Sequence, residues 1–155
     1  MCAVAWGPPW PLAPLNPAAP DCSQRHQPPL NALDTMRALA SQGEVLQIPA
    51  GELIFSSGAT GDCMFGVLEG SVELSWNGEA GQEIIQAGDV FGAGALVTPE
   101  HRRYGNAKAL SDCQLLMMNR EKFLFAVQES PMFAIELLGS IDQRLRQLKD
   151  CTKVS

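Results

Sequence analysis

Gly88-Asp89-Val90-Phe91-Gly92-Ala93 is followed, ten residues after Ala93, by Arg103. A tight glycine-rich turn with one guanidinium held over it has the parts of a small anion-binding pocket. Backbone N–H groups at such a turn point at an anion, and an arginine clamps it bidentately. Glycine is needed because a β-carbon would block the close approach of backbone to ligand. Gly94 and Tyr104 flank the two pieces. A Gly-Asp turn alone is common in β proteins, so its surroundings carry much of the argument.

The elements around it are short. From Asp34 a helix is expected, with Asp34 or Thr35 as N-cap, Met36, Leu39 and Ala40 on one face, and Gly43 as its end. The period then changes to two. Strands are expected at Val45–Ile48, Leu53–Phe55, Met64–Leu68, Val72–Trp76, Glu83–Ile85, Ala107–Leu110 and Gln114–Met118. Glycine turns punctuate them, which points to a mainly β fold with flanking α: an antiparallel barrel or jelly roll. Asn119 is placed to cap a helix from Arg120 to Glu129, and Pro131 to open a second. In that second helix Ala134, Leu138, Ile141, Leu145 and Leu148 recur at spacings of four and three. Such a seam pairs a helix with a copy of itself, while Phe133 and Leu137 remain to pack on the barrel. One broad core-facing stripe is the competing interpretation of the same spacing.

Composition bounds the rest. The chain has 155 residues, 46% hydrophobic and 18% charged, room for one ordinary domain with a real core. Residues 1–33 read as a proline-rich disordered tail, with Trp6 and Trp10 as its aromatic positions. Residues 34–130 are the expected barrel domain and 131–150 the long helix. A net charge of −6 argues against direct nucleic-acid binding, which needs a basic face. No apolar run reaches membrane-spanning length. The five cysteines are scattered, with no CxxC pair, and suit a reducing cytoplasm better than a disulfide framework or a zinc site.

A jelly roll followed by two helices, the second with a heptad, resembles the cyclic-nucleotide-binding domain of the catabolite activator and anaerobic-regulator superfamily. The likeness covers residues 36–149. Its residues are Gly58-Ala59-Thr60-Gly61-Asp62-Cys63-Met64-Phe65, then Gly70-Ser71-Val72, then Gly88-Asp89-Val90-Phe91-Gly92 and Arg103. The resemblance implies a phosphate cassette, with Arg103 as its phosphate-binding arginine, in a double-stranded β-helix followed by two C-terminal helices. The candidate ligand-binding residues are therefore Phe91, Gly92, Ala93, Gly94, Arg103, Tyr104 and Arg144. The chain ends soon after the long helix, without the basic helix-turn-helix of the family's transcription factors. A sensory module acting on an unidentified protein partner is expected.

This cassette departs from those of the cyclic-nucleotide binders. Ala93 stands where they place a glutamate that accepts the ribose hydroxyl. Tyr104 replaces the usual small residue, and Leu148 a polar group facing the purine. Losing a charge-assisted acceptor costs about 1.5–3 kcal/mol, one to two decades in affinity. Around Phe91-Gly92-Ala93 and Arg103-Tyr104 the chain is similar to cyanobacterial nitrogen-control regulators, which bind 2-oxoglutarate. Those relatives add an arginine from the long helix, here Arg144, although Lys149 replaces its companion glutamate. The expected effector is a small anion, either a cyclic nucleotide or such a dicarboxylate.

Enzymatic readings find little support. A metal-dependent cupin needs two or three histidines, and this chain has His26 and His101 alone. No serine or cysteine sits beside a histidine, and Cys2 and Cys22 do not make an iron–sulfur set. A lone His101 is a weak haem ligand. The chain is thus expected to be no enzyme, to need no cofactor, and to form a homodimer. Two readings remain: an anion sensor, or a ligand-free dimerisation or docking module with a vestigial pocket. The Tyr104 ring separates them, since a ring that fills the cavity leaves no place for a ligand.

Overall fold

The structure, a computed structural model, describes residues 31–39 and 44–152. The proline-rich stretch with Trp6, Trp10, Cys2, Cys22 and His26 lies outside the described residues, as do Ala40 and Gly43. Helix α1 (Ala32–Leu39) comes first. Asn31 caps it, its Oδ1 accepting from the Asp34 N–H at 2.9 Å, which corrects the expected start at Asp34. A side-chain acceptor three residues before a free helical N–H is what starts a helix, and Asn31 supplies it earlier. Ala32 and Leu33, expected in the tail, are buried core residues as a result.

Eight strands follow: β1 (Val45–Ile48), β2 (Leu53–Phe55), β3 (Cys63–Glu69), β4 (Ser71–Trp76), β5 (Gly81–Gln86), β6 (Val90–Phe91), β7 (Asn106–Ala109) and β8 (Cys113–Asn119). A single short turn of helix, α2 (Gly94–Val97), sits between β6 and β7. The strands form two four-stranded sheets of order β1-β8-β3-β6 and β2-β7-β4-β5, every pairing antiparallel. This is the jelly roll. Successive side chains of a strand point to opposite faces, and β3 and β8 use both. Phe65, Val67 and Leu115 fill the core between the sheets, with Val72, Ile85 and Phe91. Met64, Leu116 and Met118 face the other way, onto the helices.

Those helices are α1, α3 (Arg120–Glu129) and α4 (Pro131–Thr152). Asn119 caps α3 as expected, accepting from the Lys122 N–H at 2.9 Å. Pro131 opens α4, and the two axes are bent by 112°. Along α4 the buried residues are Phe133 and Leu137. The Phe133 ring meets that of Phe123 edge-on at 6.0 Å. Thr35 on α1 donates to Glu136 on α4 at 2.9 Å, and Lys122 pairs with Glu44. Among the described residues no single helix is long and apolar enough to cross a membrane.

Candidate functional site

Arg103 is held by the chain before it is used by anything else. The segment runs antiparallel to the loop at 58–61: Gly58 N–H donates to the Arg103 carbonyl, Arg103 N–H to Ala59, and Gly61 N–H to His101. Extended chain alternates its side chains, so Arg102 and Tyr104 turn outward and Arg103 turns in. There it is 6% exposed. Its Nη1 donates to the Gly92 carbonyl at 2.7 Å and its Nη2 to the Cys63 carbonyl at 2.7 Å. The guanidinium lies over the Phe55 ring, 4.3 Å from its centroid. A Cβ on Gly61 would run into the guanidinium, so the glycine is what lets the arginine lie flat. Gly92 adopts φ 83°, a backbone shape costly for other residues, and so turns its carbonyl to that arginine.

The electrostatics of this arrangement are incomplete. Nε of Arg103 is buried with no hydrogen-bond partner, and no ion pair among the described residues involves Arg103. A buried cation without a counter-charge is unfavourable, and an anion delivered to it relieves that cost. The neighbouring Cys63 thiol is pushed up from its usual pKa by burial, while the guanidinium beside it pulls the other way. Burial dominates, so Cys63 stays a protonated thiol near neutral pH.

Arg103 forms one wall of a cavity of about 340 Å³, with Phe55, Trp76, Gly94, Thr98 and Asn106 among its other walls. Tyr104 lies at its rim and is 76% exposed, so the ring does not fill it. Gly92 also lines this cavity. Phe91 and Ala93 do not. They line a smaller cavity of about 150 Å³ beneath α4, together with Leu137 and Ile141. The Phe91 side chain is 1% exposed and stacks on Phe65 in the inter-sheet core, which makes it a packing residue first.

Arg144 reaches both cavities from α4, but its guanidinium is engaged. Nε and Nη2 donate to the two carboxylate oxygens of Glu83 at 2.6 and 2.8 Å, and Nη1 to the Val90 carbonyl at 3.1 Å. The sequence pattern does not single out Glu83 as a site residue, although its place on β5 marks it. It shares a strand face with buried Ile85, and a carboxylate on an inward face needs a partner. Along the rest of α4, Leu138, Ile141 and Leu145 are exposed at 65%, 45% and 45%, whereas Ala134 and Leu148 are half-buried. Leu148 lies away from the lining of either cavity. Among the described residues no group of histidines, cysteines and carboxylates is placed to hold a metal.

Comparison with known proteins agrees with this geometry. Residues 45–130 match the cyclic nucleotide-binding domain family. The cyclic AMP receptor protein of Thermus thermophilus is 32% identical over 103 residues, 64% of this chain and 47% of that protein. A CRP-like cAMP-activated global transcriptional regulator of Mycobacterium tuberculosis is 25% identical over 114 residues, 71% of this chain and 50% of the regulator. The chain thus spans about half the length of the curated relatives it matches. The crystal structure of the Thermus thermophilus catabolite activator protein superposes with a TM-score of 0.63 at 23% identity, over 83% of this chain and 61% of that one. More than half of the sequence, from β1 to the end of α3, thus fits one family, and this chain belongs to the cyclic nucleotide-binding domain family.

Proposed function

We propose that the chain is a non-catalytic sensory domain that takes a small anionic effector into the 340 Å³ cavity. The observation that carries this is the buried, uncompensated guanidinium of Arg103 in the cavity wall. A cyclic nucleotide fits the family and the relatives' names. A dicarboxylate such as 2-oxoglutarate is the other candidate, because Ala93 offers no acceptor to a ribose. Binding signals by moving α4 on the barrel, provided the effector binds one helix position better than the other.

The test is a thermal titration with cyclic AMP, cyclic GMP, cyclic dinucleotides and 2-oxoglutarate. At about a hundredfold excess over the dissociation constant, the true effector stabilises the fold by about 2.7 kcal/mol. Arg103→Ala is expected to lose that shift. The second reading is a ligand-free docking module. It draws on the bonds from Arg103 to the Gly92 and Cys63 carbonyls, a structural task that needs no ligand. The absence of any shift across this panel would put it first.

Self-association through α4 belongs to the same proposal. Leu138, Ile141 and Leu145 recur along one side of the helix and are 65%, 45% and 45% exposed among the described residues. Leu145→Glu places a charge in that seam and is expected to turn a dimer into a monomer by sedimentation equilibrium. Unchanged mass would reassign the stripe.

A further inference from the structure

Glu83 is the one carboxylate among the described residues lining the large cavity, against the guanidiniums of Arg102, Arg103 and Arg144. These cations are not equivalent. Arg102 is exposed and donates to the Gly58 carbonyl at 2.8 Å, so water screens its charge. Arg144 is neutralised: Glu83 takes two of its donors bidentately, and both side chains are largely shielded, at 22% and 13% exposure. Arg103 remains, buried and without a counter-charge. In its resting arrangement the cavity is short of one negative charge, and a second would face a carboxylate.

We propose that Glu83 sets the charge of the effector: by occupying Arg144 it restricts the cavity to a singly charged anionic group. This rests on the anion-sensor reading above and goes past it in choosing between its two candidates. A phosphodiester carries one charge and pairs with Arg103 while the Glu83–Arg144 pair stays closed. A dicarboxylate or phosphomonoester brings two. To use Arg144 it must break a shielded bidentate pair and leave Glu83 facing it. Like-charge juxtaposition of that kind is how a site rejects the wrong ligand. Arg144 is therefore not the free second clamp that its position on α4 suggests.

Cyclic AMP and AMP test this directly, because they share base and ribose and differ in charge above the second phosphate pKa of about 6. Titration calorimetry would follow both, with 2-oxoglutarate as a second dianion. Wild type is expected to prefer cyclic AMP. Glu83→Gln keeps the shape, frees Arg144 and is expected to strengthen AMP and 2-oxoglutarate by at least about tenfold, the worth of one charge-assisted bond. Cyclic AMP should gain less than the dianions, so that the preference shifts toward two charges, and the dianion gain should vanish in Glu83→Gln/Arg144→Gln. Glu83→Ala serves if the amide variant misfolds. Should wild type bind a ligand while Glu83→Gln leaves the preference between one and two charges unmoved, this proposal falls and the sensor reading stands. No binding by wild type or any variant removes both. Dianion binding that appears in Glu83→Gln alone supports the proposal by itself.

Discussion

Arg103→Ala is expected to melt roughly 10 °C below the wild-type protein in the absence of any ligand, from a loss of about 3 kcal/mol. Two carbonyls, of Gly92 and Cys63, lose charge-assisted donors in a buried place, and the Phe55 face loses its cation. Each orphaned carbonyl costs about 1–3 kcal/mol. Relief of the buried unpaired charge offsets part of that sum. Arg103→Lys should recover less than half of the loss, because one ammonium on a flexible stem cannot span both carbonyls as the planar fork does. Thermal unfolding followed by circular dichroism reads both variants. A melting point unchanged in Arg103→Ala would mean that the cassette does not depend on the arginine for its shape. Since the variant starts lower, the ligand titration is read as a shift from its own baseline.

Phe133→Ala is expected to cost about 3–5 kcal/mol, the range for deleting a fully buried aromatic ring. Phe133 is 0% exposed and joins α4 to α3 through Phe123 and to the helix-facing side of β3 and β8. The loss should be local in its signature. Hydrogen exchange along α4 should quicken, while the pairing of β4 with β5, on the far sheet, stays protected. Uniform quickening over both sheets would show that the two cores unfold as one unit.

Much of the barrel was legible. The strands from β1 to β5, with β7 and β8, appear where the period of two puts them, because each has one face in a core and the other outside or in a second core. Asn119 and Pro131 fixed the helix boundaries through local chemistry that no tertiary contact overrode. β6 and α2 escaped, being two and four residues long, too short to show any period. Asn31, not the expected Asp34 or Thr35, caps α1: all are good cap residues by type, and only the backbone decides among them. At the site, the resemblance places Arg103 beside the glycine turn, while its inward turn comes from the extended pairing with residues 58–61. The bulk of Tyr104 leaves open whether its ring fills the cavity, and its outward turn answers that question. The Glu83–Arg144 pair joins residues 61 positions apart, and no local pattern carries such information.

The way α4 is fastened has a mechanical consequence. Phe133 and Leu137 fix its first turns in the core, Arg144 ties its middle to β5 and β6, and beyond that its residues are mostly exposed. That makes the helix a lever with its fulcrum at Leu137. At a rise of 1.5 Å per residue, Arg144 lies about 10 Å along the arm and Cys151 about 21 Å. A displacement of the guanidinium of roughly 1 Å, the scale of one rearranged ion pair, thus becomes about 2 Å at the far end. If an effector in the cassette displaces that guanidinium, a partner seated against Leu145 or Cys151 would feel the movement amplified about twofold.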